Sequence, residues 1–182
     1  MIACYVSGKG MYASETTWNF KTRVIAWLAQ HRLGYDTRHA YYRPQFADME
    51  EGAFARMICD PVEYYDKDWP AFRDANLARA DEWQLATEFM LARDLGFQAE
   101  AQCAIVCFDE AGMGTGVNSM RFLAQNKPIL GFYHRELETR QRNISNFLQL
   151  QITHPQLVTL RAYEDVEQIE QPLIQWLQDK HF

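Results

Sequence analysis

Six consecutive apolar residues, Cys103-Ala104-Ile105-Val106-Cys107-Phe108, constrain this chain more than any other feature. A run of that length with no polar alternation reads as a strand buried on both faces. Helices above and below a parallel sheet are the usual cover for such a strand, so the run fits an α/β architecture. The neighbouring segments agree. Met1 to Val6 is a short apolar strand that ends at the turn Ser7-Gly8-Lys9-Gly10. Ser14-Glu15-Thr16-Thr17 opens a helix that runs to about His31, with Gly34 marking its end. Ile129–Tyr133 and Leu157–Leu160 read as further strands, and one more is expected near Tyr35–Tyr42.

Between the strands the period changes to that of helices. Leu77, Leu85, Phe89 and Met90 share a face of an expected helix from Ala71 to Leu95, closed by Gly96. Val117 to Gln125 is a short helix stopped by Asn126-Lys127-Pro128. The charged segment His134–Arg142 leads to a helix over Asn143–Gln151, and Tyr163–Gln178 is an amphipathic closing helix. Tyr35 to Pro70 is the least legible stretch. Tyrosines, acids and three prolines crowd it, so residues 41–70 are expected to be an irregular insert with one short helix around Met49–Met57. Long loops usually have a task. The tyrosines of this one could stack on a base as a lid and its acids, Asp60 among them, could read ribose hydroxyls, or the segment could simply pack as a surface excursion or subunit contact. The alternation of strand and helix predicts a mostly parallel five-stranded sheet with helices on both faces, in one domain spanning 1–182.

Composition excludes several classes. A net charge of −6 disfavours a general nucleic-acid binder. No run of about 18 apolar residues predicts a membrane span, and no charged leader with an apolar core opens the chain. A cytoplasmic protein is expected. Cys4, Cys59, Cys103 and Cys107 form no C-x-x-C pair and read as reduced core thiols. The five histidines are scattered without ligand spacing, so neither a metal nor a cofactor is expected. Ser7 has no G-x-S-x-G context, which argues against a serine hydrolase.

The strongest chemical signal is Gly112-Met113-Gly114-Thr115-Gly116, directly after the best strand. Glycines allow close backbone approach, and a following helix offers unpaired N–H groups and a positive dipole end. Such a turn suits a phosphate, a carboxylate or a sugar hydroxyl, or else is only a tight strand-to-helix connection. Ser7 and Gly8 could form the opposite wall, with Lys9 able to meet an anion, or be an ordinary turn. They lack the G-x-G-x-x-G spacing of a dinucleotide site. Asp109 and Glu110 lie at the carboxyl end of the strand, where site residues gather. They read either as catalytic carboxylates or as helix-start acids. Glu88 reads as a solvated helix residue.

Ala99 to Tyr133, with its strand, G-T-G-V-N and N-K-P-I-L, resembles the nucleoside 2-deoxyribosyltransferases and their relatives, which include the nucleotide-binding lysine-decarboxylase-like group. Asn143-Ile144-Ser145-Asn146-Phe147 resembles the segment that follows in several members. The resemblance implies a three-layer Rossmann-like (flavodoxin-like) fold. It also implies a nucleoside- or nucleotide-shaped pocket and a homo-oligomer. Gly112, Gly114, Thr115 and Gly116 would hold phosphate or sugar, and Asp94 would match an aspartate that contacts the base. The departures are specific. The family's nucleophilic glutamate falls at Asn118, and an amide forms no sugar ester and is no general base near neutral pH. The aspartate that often opens the strand falls near Gln102. Glycosyl transfer would then need a relocated carboxylate, with Asp94, Asp109 and Glu110 as candidates. The alternative is an interaction or regulatory module that kept the fold and lost the site.

Overall fold

The structure, a computed structural model, describes residues 1–9, 13–140 and 144–180, with side chains for all but 139, 140 and 144–146. Gly10 of the first expected turn, Arg142, Asn143 and His181 lie outside the described residues. The sheet has five strands, all parallel, in the order β2-β1-β3-β4-β5. These are β1 (Ile2–Ser7), β2 (Gly34–Asp36), β3 (Cys103–Cys107), β4 (Ile129–His134) and β5 (Val158–Tyr163).

Side-chain alternation along β3 explains why that run contains no polar residue. Cys103, Ile105 and Cys107 face one apolar layer with Phe20, Val24, Trp27 and Leu28 of α1 (Glu15–Gln30) and Leu173 and Trp176 of the C-terminal helix. Ala104, Val106 and Phe108 face the opposite layer with Phe54, Leu85, Phe97 and Phe122. Both layers are needed, because a strand with one wet face would alternate. This is the α/β, three-layer Rossmann-like architecture.

Several elements depart from the sequence expectation for local reasons. The strand near Tyr35–Tyr42 is confined to Gly34–Asp36, and α2 (Thr37–Tyr42) follows at once. The Asp36 carboxylate accepts the His39 amide at 2.7 Å and caps the new helix. The chain leaves α1 through Arg32 in the left-handed region, φ 54°, and Gly34 already belongs to β2. The supposedly irregular insert is largely helical. It contains α3 (Glu51–Met57) and 3-10 turns at Arg43–Phe46 and Val62–Tyr64. Pro44 and Pro70 sit in the first turns of helical segments, where a missing N–H costs nothing. The helix expected from Ala71 to Leu95 is two helices, α4 (Trp69–Asn76) and α5 (Glu82–Glu100). Asp81 caps the second through the Gln84 amide at 2.8 Å. Gly96 lies inside α5 and does not end it. Leu85 and Phe89 are buried as expected, whereas Leu77 and Met90 are exposed.

In the C-terminal half, α6 spans Met113–Ala124 and therefore starts four residues before Val117. Then come α7 (Glu136–Arg140) and α8 (Ile144–Thr153). Tyr163 ends β5 and does not open a helix. A 3-10 turn at Val166–Ile169, held by an Asp165–Gln168 capping box, leads into α9 (Glu170–Asp179). No helix among the described residues is long and apolar enough to cross a membrane.

Candidate functional site

Strand order fixes where a site can form. From β1 the chain moves to one side to build β2 and to the other to build β3, so the crests of β1 and β3 diverge into a crevice at their carboxyl ends. A cavity of about 560 Å³ occupies that crevice, a size suited to a small ligand.

One wall comes from β1. Ser7 is buried at its end, and Gly8 follows with φ 154°, a conformation that side chains rarely adopt. A Cβ there would stand 3.1 Å from Cys107 Cβ and 3.4 Å from Lys21 Cε. The opposite wall is the start of α6. Its N-cap, Gly112, is extended and supplies no side-chain cap. The first-turn amides of a helix have no partner within it. Gly112, Gly114 and Thr115 therefore bring unclaimed N–H groups and a positive helix end to the cavity lining. The glycine-rich segment is thus the first turn of the helix, not a loop before it.

The floor is a polar network. The Tyr5 hydroxyl donates to Asp94 Oδ1 at 2.6 Å, and Arg38 Nη2 donates to the same oxygen at 2.9 Å. Gln98 Nε2 donates to Asp94 Oδ2 at 2.9 Å and to Asn118 Oδ1 at 3.0 Å. Asn118 Nδ2 donates to the Tyr5 hydroxyl at 3.2 Å, and Arg121 Nη1 donates to Asn118 Oδ1 at 3.1 Å. Burial pushes the Tyr5 phenol far above its ordinary pKa, so it is a neutral donor at any physiological pH. Asp94 thus holds three donors on two oxygens. Val62, Met90, Leu91 and Phe97 add apolar residues to the lining.

The chain matches no protein-family model and no curated protein. The site's own geometry is the guide to function.

The structure gathers some of the sequence candidates and separates others. Ser7, Gly8, Gly112, Gly114, Thr115, Asn118 and Asp94 all line the cavity. Gly116 does not. It lies on the outer side of α6, in a shallow apolar groove with Met113 and Met120. Asp109 and Glu110 are also outside the lining. Asp109 Oδ1 accepts the His134 amide at 2.5 Å and Oδ2 accepts the Tyr163 hydroxyl, which ties the end of β3 to β4 and β5. Glu110 Oε2 accepts the Ser14 amide at 2.9 Å, the Ser14 hydroxyl at 2.8 Å and the Thr17 hydroxyl at 2.7 Å. Lys9 Nζ lies 3.6 Å from its other oxygen. Glu110 is a latch between the start of α1 and the loop after β3.

That latch makes a measurable prediction. Burial favours the neutral acid, but the Ser14 amide, the Thr17 and Ser14 hydroxyls and Lys9 outweigh it and hold Glu110 below its ordinary 4.5. A depressed folded-state pKa gives stability that is complete above the unfolded-state value and lost as pH falls through the folded one. Urea unfolding should therefore show a shallower acid-side loss of stability for Glu110→Gln than for the parent. Glu110→Ala should cost about 2 kcal/mol at neutral pH. Parallel acid limbs in parent and Glu110→Gln would refute the latch.

Sequence reasoning missed Tyr5, Lys21, Arg38, Phe97 and Arg121, all of which line the cavity, while Asp60 is the one insert acid that does so. Arg38 was hidden in the crowded segment after Gly34. That segment does contribute a wall, but through Cys59, Asp60, Pro61 and Val62, while Tyr41, Tyr42, Tyr64 and Tyr65 are outside the lining. Tyr42 is wholly buried and donates to Asp66 Oδ2 at 2.6 Å, and Tyr64 is exposed. Lys21 did carry a signal, since it falls between Thr17, Val24 and Leu28 on the buried face of α1. All four cysteines are free and buried. Among the described residues, no group of three His, Cys, Asp or Glu side chains is placed to hold a metal ion.

Proposed function

We propose that the chain is a nucleoside- or nucleotide-binding protein of deoxyribosyltransferase-like fold that holds its ligand in the β1–β3 crevice. The observation that carries this reading is the mixed lining of the cavity. It includes the α6 amides, Thr115 and the Ser7-Gly8-Lys9 turn, which suit phosphate or sugar oxygens. It also includes Val62, Met90, Leu91 and Phe97, apolar residues suited to a base. Asp60 and Arg38 are available for polar selection at the ligand's edge.

Binding is favoured over glycosyl transfer by the state of the carboxylates. Asp94 has donors on both oxygens, Asp109 and Glu110 serve other parts of the fold, and residue 118 is an amide. A carboxylate whose charge is already shared among several donors is a weaker nucleophile and base for a covalent sugar ester or a proton abstraction. Asp60 is the one lining carboxylate with no side-chain hydrogen bond or ion pair among the described residues.

Two measurements test the reading. Thermal unfolding against common nucleosides and nucleoside monophosphates should show stabilisation for a subset, about 2.7 kcal/mol at 100 times Kd. A flat response across the panel would favour an interaction module that lost its site. Product analysis should show no free base from the parent protein, and Asn118→Glu should release base from a ligand that binds. The new carboxylate would sit beside the Tyr5 hydroxyl and Arg121, in the position of the family's nucleophile. Base release by the parent would instead make it an enzyme, with Asp60 the first residue to replace.

A further inference from the structure

Lys21 occupies a position where a helix normally places an aliphatic side chain. It is 7% exposed, on the face of α1 that also buries Phe20, Val24 and Leu28. An ammonium taken out of water is costly unless a counter-charge meets it. Its hydrogen bond is to a neutral acceptor, the Lys9 carbonyl, at 2.8 Å. No carboxylate among the described residues forms an ion pair with it. Asp36 acts on it only from beyond ion-pair reach, and both Asp36 oxygens are already taken by the Val6 and His39 amides. The other groups that face it are the Cys59 and Cys107 thiols and the Arg38 guanidinium, and none of these is an anion at neutral pH.

The setting makes this more than an isolated lysine. Lys9, Lys21, Arg38 and Arg121 line the cavity against Asp60 and Asp94 alone, on a chain whose net charge is −6. Arg38 Nε is buried with no hydrogen-bond partner among the described residues. The Gly8 backbone lies directly over the Lys21 stem, because a Cβ at Gly8 would meet Lys21 Cε at 3.4 Å. Lys21 therefore stands beneath the turn that forms one wall of the cavity, while the amide-bearing start of α6 forms another.

We propose that Lys21 is the residue that selects a phosphorylated ligand, its ammonium meeting the phosphate, so that the cavity takes nucleoside phosphates in preference to free nucleosides. This inference rests on the nucleoside-or-nucleotide reading of the same cavity and narrows it. The lining brings together Lys21, the first turn of α6 and Thr115, donor types that suit a phosphate with several oxygens to satisfy. Burial holds the Lys21 pKa below that of an exposed lysine, and a bound phosphate would favour its charged form.

Calorimetric titration with inorganic phosphate, the four common nucleosides and their 5′-monophosphates decides the matter. The preferred monophosphate should bind the parent protein about 10- to 100-fold more tightly than its nucleoside. In Lys21→Met that preference should shrink to about twofold or less, and Lys21→Arg should retain most of it. Met keeps the aliphatic stem and removes the charge, so circular dichroism should show a folded variant. If it does not fold, the parent's ratio of monophosphate to nucleoside affinity still decides. Equal affinities for nucleoside and monophosphate would overturn this inference and leave the nucleoside reading intact. A phosphate preference that persists in folded Lys21→Met would also overturn it. Lys21-dependent binding of inorganic phosphate, with no response to any nucleoside or monophosphate, would uphold the anion site and overturn the nucleoside reading. Silence from every probe would sink both.

Discussion

Alanine at Gly131 should destabilise the protein by about 3 kcal/mol or more, the upper end for overpacking a core. A Cβ there would lie 2.2 Å from Phe108 Cε2 and 2.5 Å from Leu160 Cδ2. Phe108 in particular has little room to retreat. Phe108 is 1% exposed and stacks on Phe147 at 4.2 Å, and Leu160 is the direct partner of Gly131 in the β4–β5 register. Gly131 is also paired with Val106 of β3, so β4 is held on both edges. The urea midpoint should fall with little change in the denaturant slope. Phe108→Leu combined with Gly131→Ala should recover part of the loss, and a double-mutant cycle would measure how much. A loss below about 0.5 kcal/mol would mean that the β4 surface is not packed as described. The effect should reach the cavity, because Phe108 directly precedes the residues that lead into α6.

Removing the Asp94 carboxylate should be similarly severe, by a different route. Asp94→Ala strands Arg38, whose side chain is only 24% exposed and has no other ion-pair partner among the described residues. Leaving one member of a largely buried pair uncompensated costs about 3–5 kcal/mol, and slight solvent access places the expectation near 3. Asp94→Asn keeps an acceptor for Tyr5 and Arg38 and should cost about half as much. Tyr5→Phe removes one hydrogen bond and should cost about 1 kcal/mol. That graded series separates a charge-centred network from ordinary packing. Equal losses for Asp94→Ala and Asp94→Asn would mean that the charge contributes nothing. All Asp94 variants should also lose ligand stabilisation in the thermal assay, since Arg38 and Asn118 would no longer be held.

β1, β3 and β4 were the legible strands of this sequence because each is a short, largely apolar run closed by turn residues, whereas β2, only Gly34–Asp36, carries no such signal. The parallel sheet followed from their alternation with helices. The start of α6 was obscured because glycine is a poor helix former. Gly112 to Gly116 reads as a turn although the helix has already begun at Met113. Asp109 and Glu110 were placed on the right strand end but given no partners. Their hydrogen-bond donors, His134 and Ser14, are 25 and 96 residues away in sequence. The wall residues Arg38 and Asp60 lay in a segment whose prolines suggested breaks, whereas Pro44 and Pro70 begin helical turns. Lys21 alone could have been found from pattern, as a charge on the apolar stripe of α1.

The edge of the sheet has one more consequence. β2 pairs with β1 only at Ile2, Ala3 and Cys4, and the next donor along β1, the Val6 amide, is met at 2.8 Å by the Asp36 carboxylate. A side chain thus completes a row that backbone would otherwise occupy. It closes that stretch of β1 to any added strand, the usual route by which exposed edges recruit other chains. It also frees the polypeptide to turn away at Thr37. Had the edge continued two residues further, position 38 would be spent on sheet pairing, and the cavity would have no guanidinium.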